Sequence, residues 1–92
     1  MKNLFLTKSK LLKNGYDFVY NGNIRGTLVK FNKEINIQLI ESRIQNKGNC
    51  QNFIKLFQKE LKKTDFTLVS STPISESWRH ICQKYKIKIY EK

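Results

Sequence analysis

The strongest constraint in this chain is a change of hydrophobic rhythm around Gly48. The stretch is "LIESRIQNKGNCQNFIKLF", residues 39–57. Before it, Ile35, Ile37 and Leu39 alternate with period two, which predicts a strand. After it, Cys50, Phe53, Ile54, Phe57 and Leu61 recur at i, i+3, i+4, i+7 and i+11, the buried stripe of a helix from about Cys50 to Lys63. A polar hinge, "QNKGN", joins the two. A strand that feeds a helix through a glycine hinge belongs to a mixed α and β fold.

The rest of the chain extends this reading. "NLFLTKSKLL" is read as an opening strand. In "GYDFVYNGNIRGTLVKFN", Tyr16, Phe18 and Tyr20 share one face, and Asn21–Gly22 is a strong hairpin signal. Gly26, inside the return strand, marks a bulge or a close backbone approach. In "KEINIQLIES" the alternation puts Ile35, Ile37, Leu39 and Glu41 on one face, with Asn36, Gln38 and Ile40 on the other. "DFTLVSS" reads as a further strand. A second helix follows, capped by Thr72 with Pro73 at its first position, or by Ser75 one turn later. Trp78, Ile81, Cys82 and Tyr85 form its stripe, and "KIKIYE" closes the chain as a strand. The expected fold is α+β, a mixed, mainly antiparallel sheet in the order β-β-β-β-α-β-α-β, in one domain spanning residues 1–92.

Formal net charge is +11. This favours anionic partners: nucleic acid, a phosphorylated cofactor or an acidic protein surface. A compositional bias toward Lys and Asn is the plainer source of the same charge. Cys50 and Cys82 form no C-x-x-C pair, and one His completes no zinc site with them. The expectation is two reduced thiols in a cytoplasmic protein. No membrane span or signal peptide is read.

The hinge has the makings of an anion site. A helix N-terminus carries unpaired N–H groups and partial positive charge. Gly48 permits close approach, Lys47 and Arg43 add charge, and Asn46 and Asn49 supply amides. A helix that simply starts after a turn is the plainer reading, because one glycine makes neither a P-loop nor a G-x-G-x-x-G fingerprint.

Gln45, Gly48 and Cys50, set between a β-meander and a β-α-β unit, resemble the Q/R-x-x-G-x-G/A loop of the GNAT acyltransferase superfamily. Cys50 stands where that motif has Gly or Ala. "LVSSTPISESWRHICQKYKIKIY" is similar to the closing strand-helix-strand of that family. Its frequent Y-x-x-x-G-F ending falls here on Cys82, Lys86 and Ile87. The resemblance covers roughly residues 16–92. It implies that backbone N–H groups of the loop bind the pyrophosphate of acetyl-CoA, with Ile40, Ser42, Arg43, Gln45, Asn46, Lys47, Gly48, Asn49 and Cys50 around the cofactor. It also implies that an N–H between Ile40 and Ser42 polarises the thioester, provided the strand splays there. A truncated N-terminal part leaves the acceptor site to be completed by a partner copy or by the substrate.

Acetyl transfer to an amine needs a base, an oxyanion donor and an acid for the leaving thiolate. Glu41 is the base candidate; an exposed strand-end carboxylate offsetting Arg43 is the alternative. Cys82 or Tyr85 is the acid candidate; core positions for both are the alternative. His80 reads as a surface imidazole and Trp78 as a core anchor. The acceptor is unspecified, with an acidic protein or a nucleotide-containing substrate favoured by charge, and a homodimer is left open. Two other readings stand beside the enzyme: a GNAT-like protein that binds CoA or a partner without chemistry, and a small basic nucleic-acid-binding protein.

Overall fold

The computed structural model describes residues 3–42, 49–71 and 75–90, with only the backbone of Asn49. The elements are β1 (Leu4–Lys8), β2 (Gly15–Tyr20), β3 (Ile24–Phe31), β4 (Glu34–Ser42), α1 (Asn49–Leu61), β5 (Thr67–Ser71), α2 (Glu76–Lys84) and β6 (Lys88–Tyr90). The fold is α+β, and the order of elements is the expected one. One six-stranded sheet runs β1-β2-β3-β4-β5-β6. The first four strands pair antiparallel; β4–β5 and β5–β6 are parallel.

The turns explain the meander. Asn21 and Gly22 both have positive φ, 52° and 69°, and Asn23 N–H donates to the Tyr20 carbonyl. This is the primed turn that suits the twist of a hairpin. The β3–β4 turn uses the same geometry at Asn32 and Lys33, with φ of 50° and 63°. A lysine in that conformation gave no turn signal in the sequence.

Both helices cover one face of the sheet. Phe53, Ile54 and Phe57 of α1 and Trp78 and Cys82 of α2 share one core with Phe18, Ile24, Leu28, Ile35, Ile37 and Leu68. The expected stripes of both helices are therefore the buried ones. Phe53 sits at the centre, with ring centroids 5.5 Å from Phe18, 5.0 Å from Tyr20 and 5.5 Å from Phe57. Right-handed crossovers between successive parallel strands put α1 and α2 on the same side. The other face of the sheet carries no helix among the described residues.

Each end of α2 has a defined stop. Ser75 is the N-cap: its hydroxyl accepts from Trp78 N–H at 3.1 Å. At the other end Ile87 N–H donates to the Cys82 carbonyl and Lys86 N–H to that of Gln83, while Lys86 has φ 58°. This is a Schellman stop with lysine where glycine is usual.

Candidate functional site

The carboxyl ends of β4, β5 and β6 lie at one end of the sheet. So do the starts of α1 and α2 and the β2–β3 turn, since Ile24 pairs with Ser42 and Ser71 with Tyr90. Open α/β sheets bind ligands at this end of their parallel strands.

Strand β4 is irregular there. Its pairing with β3 shifts register between Thr27 and Leu28: Leu28 faces Ile37, and Thr27 faces Leu39. Gln38 is the extra residue of a β-bulge. The bulge needs Gly26 opposite it. A Cβ on Gly26 would overlap the Leu39 carbonyl and come within 2.8 Å of the Phe18 ring.

The bulge corrects one expectation. Simple alternation put Leu39 and Glu41 on the face of Ile35 and Ile37. One extra residue inverts everything after it. Ile40 and Ser42 instead share the helix-covered face with Ile37, and Leu39 and Glu41 point to the open face.

Beyond the bulge, β4 outruns its parallel neighbour. Among the described residues β5 pairs with β4 only over Glu34–Ile37, while β4 continues to Ser42. Among the described residues, the edge from Gln38 to Ser42 borders a notch beyond the end of β5. The last pair, Ile37 with Ser70, is locked. Ser70 is fully buried; its hydroxyl donates to the Ile37 carbonyl at 2.9 Å and accepts from Trp78 Nε1–H at 2.8 Å. Helix α2 is thereby pinned to the point where β4 and β5 part. Asn36 adds a second tie on the open face, donating from Nδ2 to Ser71 Oγ at 2.8 Å. Neither serine is visible as a site residue in the sequence. Two hydroxyls ending a strand just before a helix, "SS", are the only sign of them.

Arg43, Gln45, Asn46, Lys47 and Gly48 lie outside the described residues, as do Thr72 and Pro73. Of the expected cofactor-binding set, Ile40 and Ser42 are on the helix-covered side of the β4 edge. Asn49 and Cys50 open α1, and Cys50 is packed partly against the core.

The three candidate catalytic side chains do not converge. Glu41 is exposed on the open face, with Oε2 3.5 Å from Arg25 Nη2. Cys82 and Tyr85 are on the other side of the sheet. Cys82 is fully buried, and burial pushes its thiol up to about 11. That proton is held too tightly for ready donation to a thiolate. Tyr85 closes α2, half-buried, and its carbonyl accepts from Gln58 Nε2 at 3.0 Å. His80 is exposed on α2 and Trp78 is core.

Burial of Cys82 predicts a pH dependence. In the unfolded chain the thiol ionises near 9.0, and in the fold only near 11. Between those values the unfolded state releases the proton first. Stability is therefore complete below pH 9 and falls as pH rises toward 11, by about 2–3 kcal/mol for this group. Cys50, also raised by burial, and Tyr90, raised by its hydrogen bond to Glu34, act in the same direction. Denaturant melts across that range should show a shallower decline for Cys82→Ala. Equal slopes would discard the assignment.

A cleft of about 400 Å³ adjoins the start of α1. Tyr20, Asn21 and Asn23 of the β2–β3 turn line one wall, and Asn52, Lys55 and Leu56 of α1 the other. Its amides, one ammonium and one aromatic ring suit a polar anionic ligand rather than a greasy one. Among the described residues no group of His, Cys, Asp and Glu is arranged to hold a metal. None of the described helices is long and apolar enough to cross a membrane. No family model, curated protein or solved structure matches this chain.

Proposed function

We propose that this protein binds acetyl-CoA at the notch beside β4 and transfers the acetyl group to an amine, as a minimal GNAT-like acyltransferase. The observation that carries the reading is the behaviour of β4. It bulges at Gln38, runs past β5 after the Ile37–Ser70 pair, and is the strand that precedes α1 in the chain. The β4 edge beyond Ile37, which β5 does not cover among the described residues, offers backbone N–H groups to a thioester and pantetheine amides, and a helix start offers them to a pyrophosphate. The left-handed Lys86 adds support, because it stands where the resemblance places glycine.

The chemistry is then divided among few groups. Backbone N–H groups along 40–42 polarise the carbonyl. Glu41, at the strand end, takes the amine proton from the open side, with Arg25 Nη2 3.5 Å from its Oε2 to orient it. The leaving thiolate takes its proton from water, because Cys82 is buried and Tyr85 closes α2 at the end away from the notch.

A thermal scan with CoA and with acetyl-CoA tests the cofactor. At a ligand concentration a hundredfold above Kd, stabilisation is about 2.7 kcal/mol, a rise of roughly 10 °C or more for a domain of this size. Gly48→Leu should remove most of that rise. Folded protein that shows no shift at millimolar CoA would sink the proposal. Release of free thiol from acetyl-CoA on addition of amines separates an enzyme from a binder. A second reading, nucleic-acid binding, draws on the net charge of +11. It requires oligonucleotide affinity that falls steeply with salt and is indifferent to CoA.

A further inference from the structure

The open face of the sheet departs from the rest of the molecule in both charge and polarity. The register places Phe5, Val19, Arg25 and Glu41 in one row across β1–β4, and Thr7, Asp17, Thr27 and Leu39 in the next. Of the exposed large apolar side chains among the described residues, Phe5, Val19, Phe31 and Leu39 are on this face; Phe5 is 69% exposed and Leu39 51%. The strand positions on this face carry three carboxylates, Asp17, Glu34 and Glu41, against two cations, Arg25 and Lys88. Their formal charge is −1 in a chain of +11, so the remainder carries +12.

The half of the face over β5 and β6 is bridged by a side chain of its own. Tyr90 on β6 reaches across β5 and donates its hydroxyl to Glu34 Oε2 on β4 at 2.6 Å. Val69, on the same face of the strand between them, is buried. The uncovered apolar patch is therefore the β1–β4 half.

We infer that two copies of this chain pack through this half of the sheet, face to face. Apolar patches of this kind mark contact surfaces, and twisted sheets stack face to face in an aligned fashion. Two copies at +11 repel each other through their strongly basic surfaces. On this face both signs are present, so Arg25 of one copy can meet Asp17 of the other across a two-fold axis, with Glu41 left at the strand end. The pairing leaves the basic, helix-covered sides facing outward.

Sedimentation or light scattering of the full chain, with and without nuclease, tests this. The expected result is twice the chain mass in the micromolar range. Added salt should strengthen the dimer by screening the residual repulsion. Val19→Glu and Leu39→Glu should each weaken it about tenfold or more, with circular dichroism unchanged. Leu56→Glu, an exposed change on α1, should leave it intact. Monomer at every concentration and salt would overturn the inference. A dimer lost to nuclease, or one indifferent to both glutamate variants, would overturn it equally.

Discussion

Alanine at Gly26 is expected to lower the unfolding midpoint by roughly 12 °C or more, or to prevent folding altogether. The new methyl would sit on the Leu39 carbonyl and against the Phe18 ring. Neither can yield cheaply: the carbonyl is backbone within a bulge, and Phe18 is packed against Phe53 at the centre of the core. Overpacking against soft side chains costs about 1–3 kcal/mol, and a backbone obstruction should lie at or beyond the top of that range. Gly22→Ala is the informative comparison. Its φ is +69° but no atom lies near its Cβ position, so only the left-handed penalty of about 1 kcal/mol applies. Thermal unfolding of the two variants side by side measures the difference. Equal losses would mean that the bulge readily rearranges.

Trp78→Ala should be the most costly change on α2, at about 3–5 kcal/mol. For a domain whose total stability is on the order of 5–10 kcal/mol, that leaves little. The indole fills the space between α2 and the sheet and holds the Ser70 hydroxyl that closes the last β4–β5 pair. Trp78→Phe keeps most of the volume and removes only the N–H, with an expected cost of about 1 kcal/mol for that bond plus a little packing. Denaturant melts followed by circular dichroism resolve both, since the only tryptophan of the chain is removed in each. If phenylalanine were as harmful as alanine, the hydrogen bond would matter far more than the ring. If it were neutral, the tie between α2 and the end of β5 would have no net weight.

Much of the fold could be read from residue order because each element announces itself locally. Alternation in "GYDFVY", the Asn21–Gly22 turn and the five-residue stripe from Cys50 to Leu61 are independent signals that agree. The bulge could not be read in the same way. "INIQLIES" alternates well enough to pass for a regular strand, and a single inserted residue changes no composition. Its trace is in the partner strand, at Gly26, where the absence of a side chain makes room. Glu41 was placed on the wrong face for this reason alone.

The candidate site was legible only in its first half. The start of α1 follows from the change between two rhythms. The end of β5 does not, because Ser70 and Ser71 look like ordinary strand-end hydroxyls until Ile37 and Asn36 are brought beside them. Cys82 lay open between core and chemistry in the sequence; full burial places it in the core. Charge was visible only as a total. That the carboxylates Asp17, Glu34 and Glu41 collect on one face needs strand pairing, which joins residues far apart in the chain.

The order of strands across the sheet matches their order along the chain, and this sets how the molecule is put together during synthesis. The β1–β4 meander needs only short turns, and hairpins of this type close in about 1–10 μs. It can therefore form while the C-terminal half is still being made. The parallel strands cannot, because each requires a completed helix to carry the chain back. Between those events the nascent protein shows the ribosome-side environment a bare β4 edge along its full length. That edge is a template for unwanted strand pairing, and α1, the next segment to emerge, brings Phe53 onto Phe18 and Tyr20 before β5 arrives. Strand β5 then covers β4 as far as Ile37 among the described residues, and the stretch beyond is where the proposed ligand would sit.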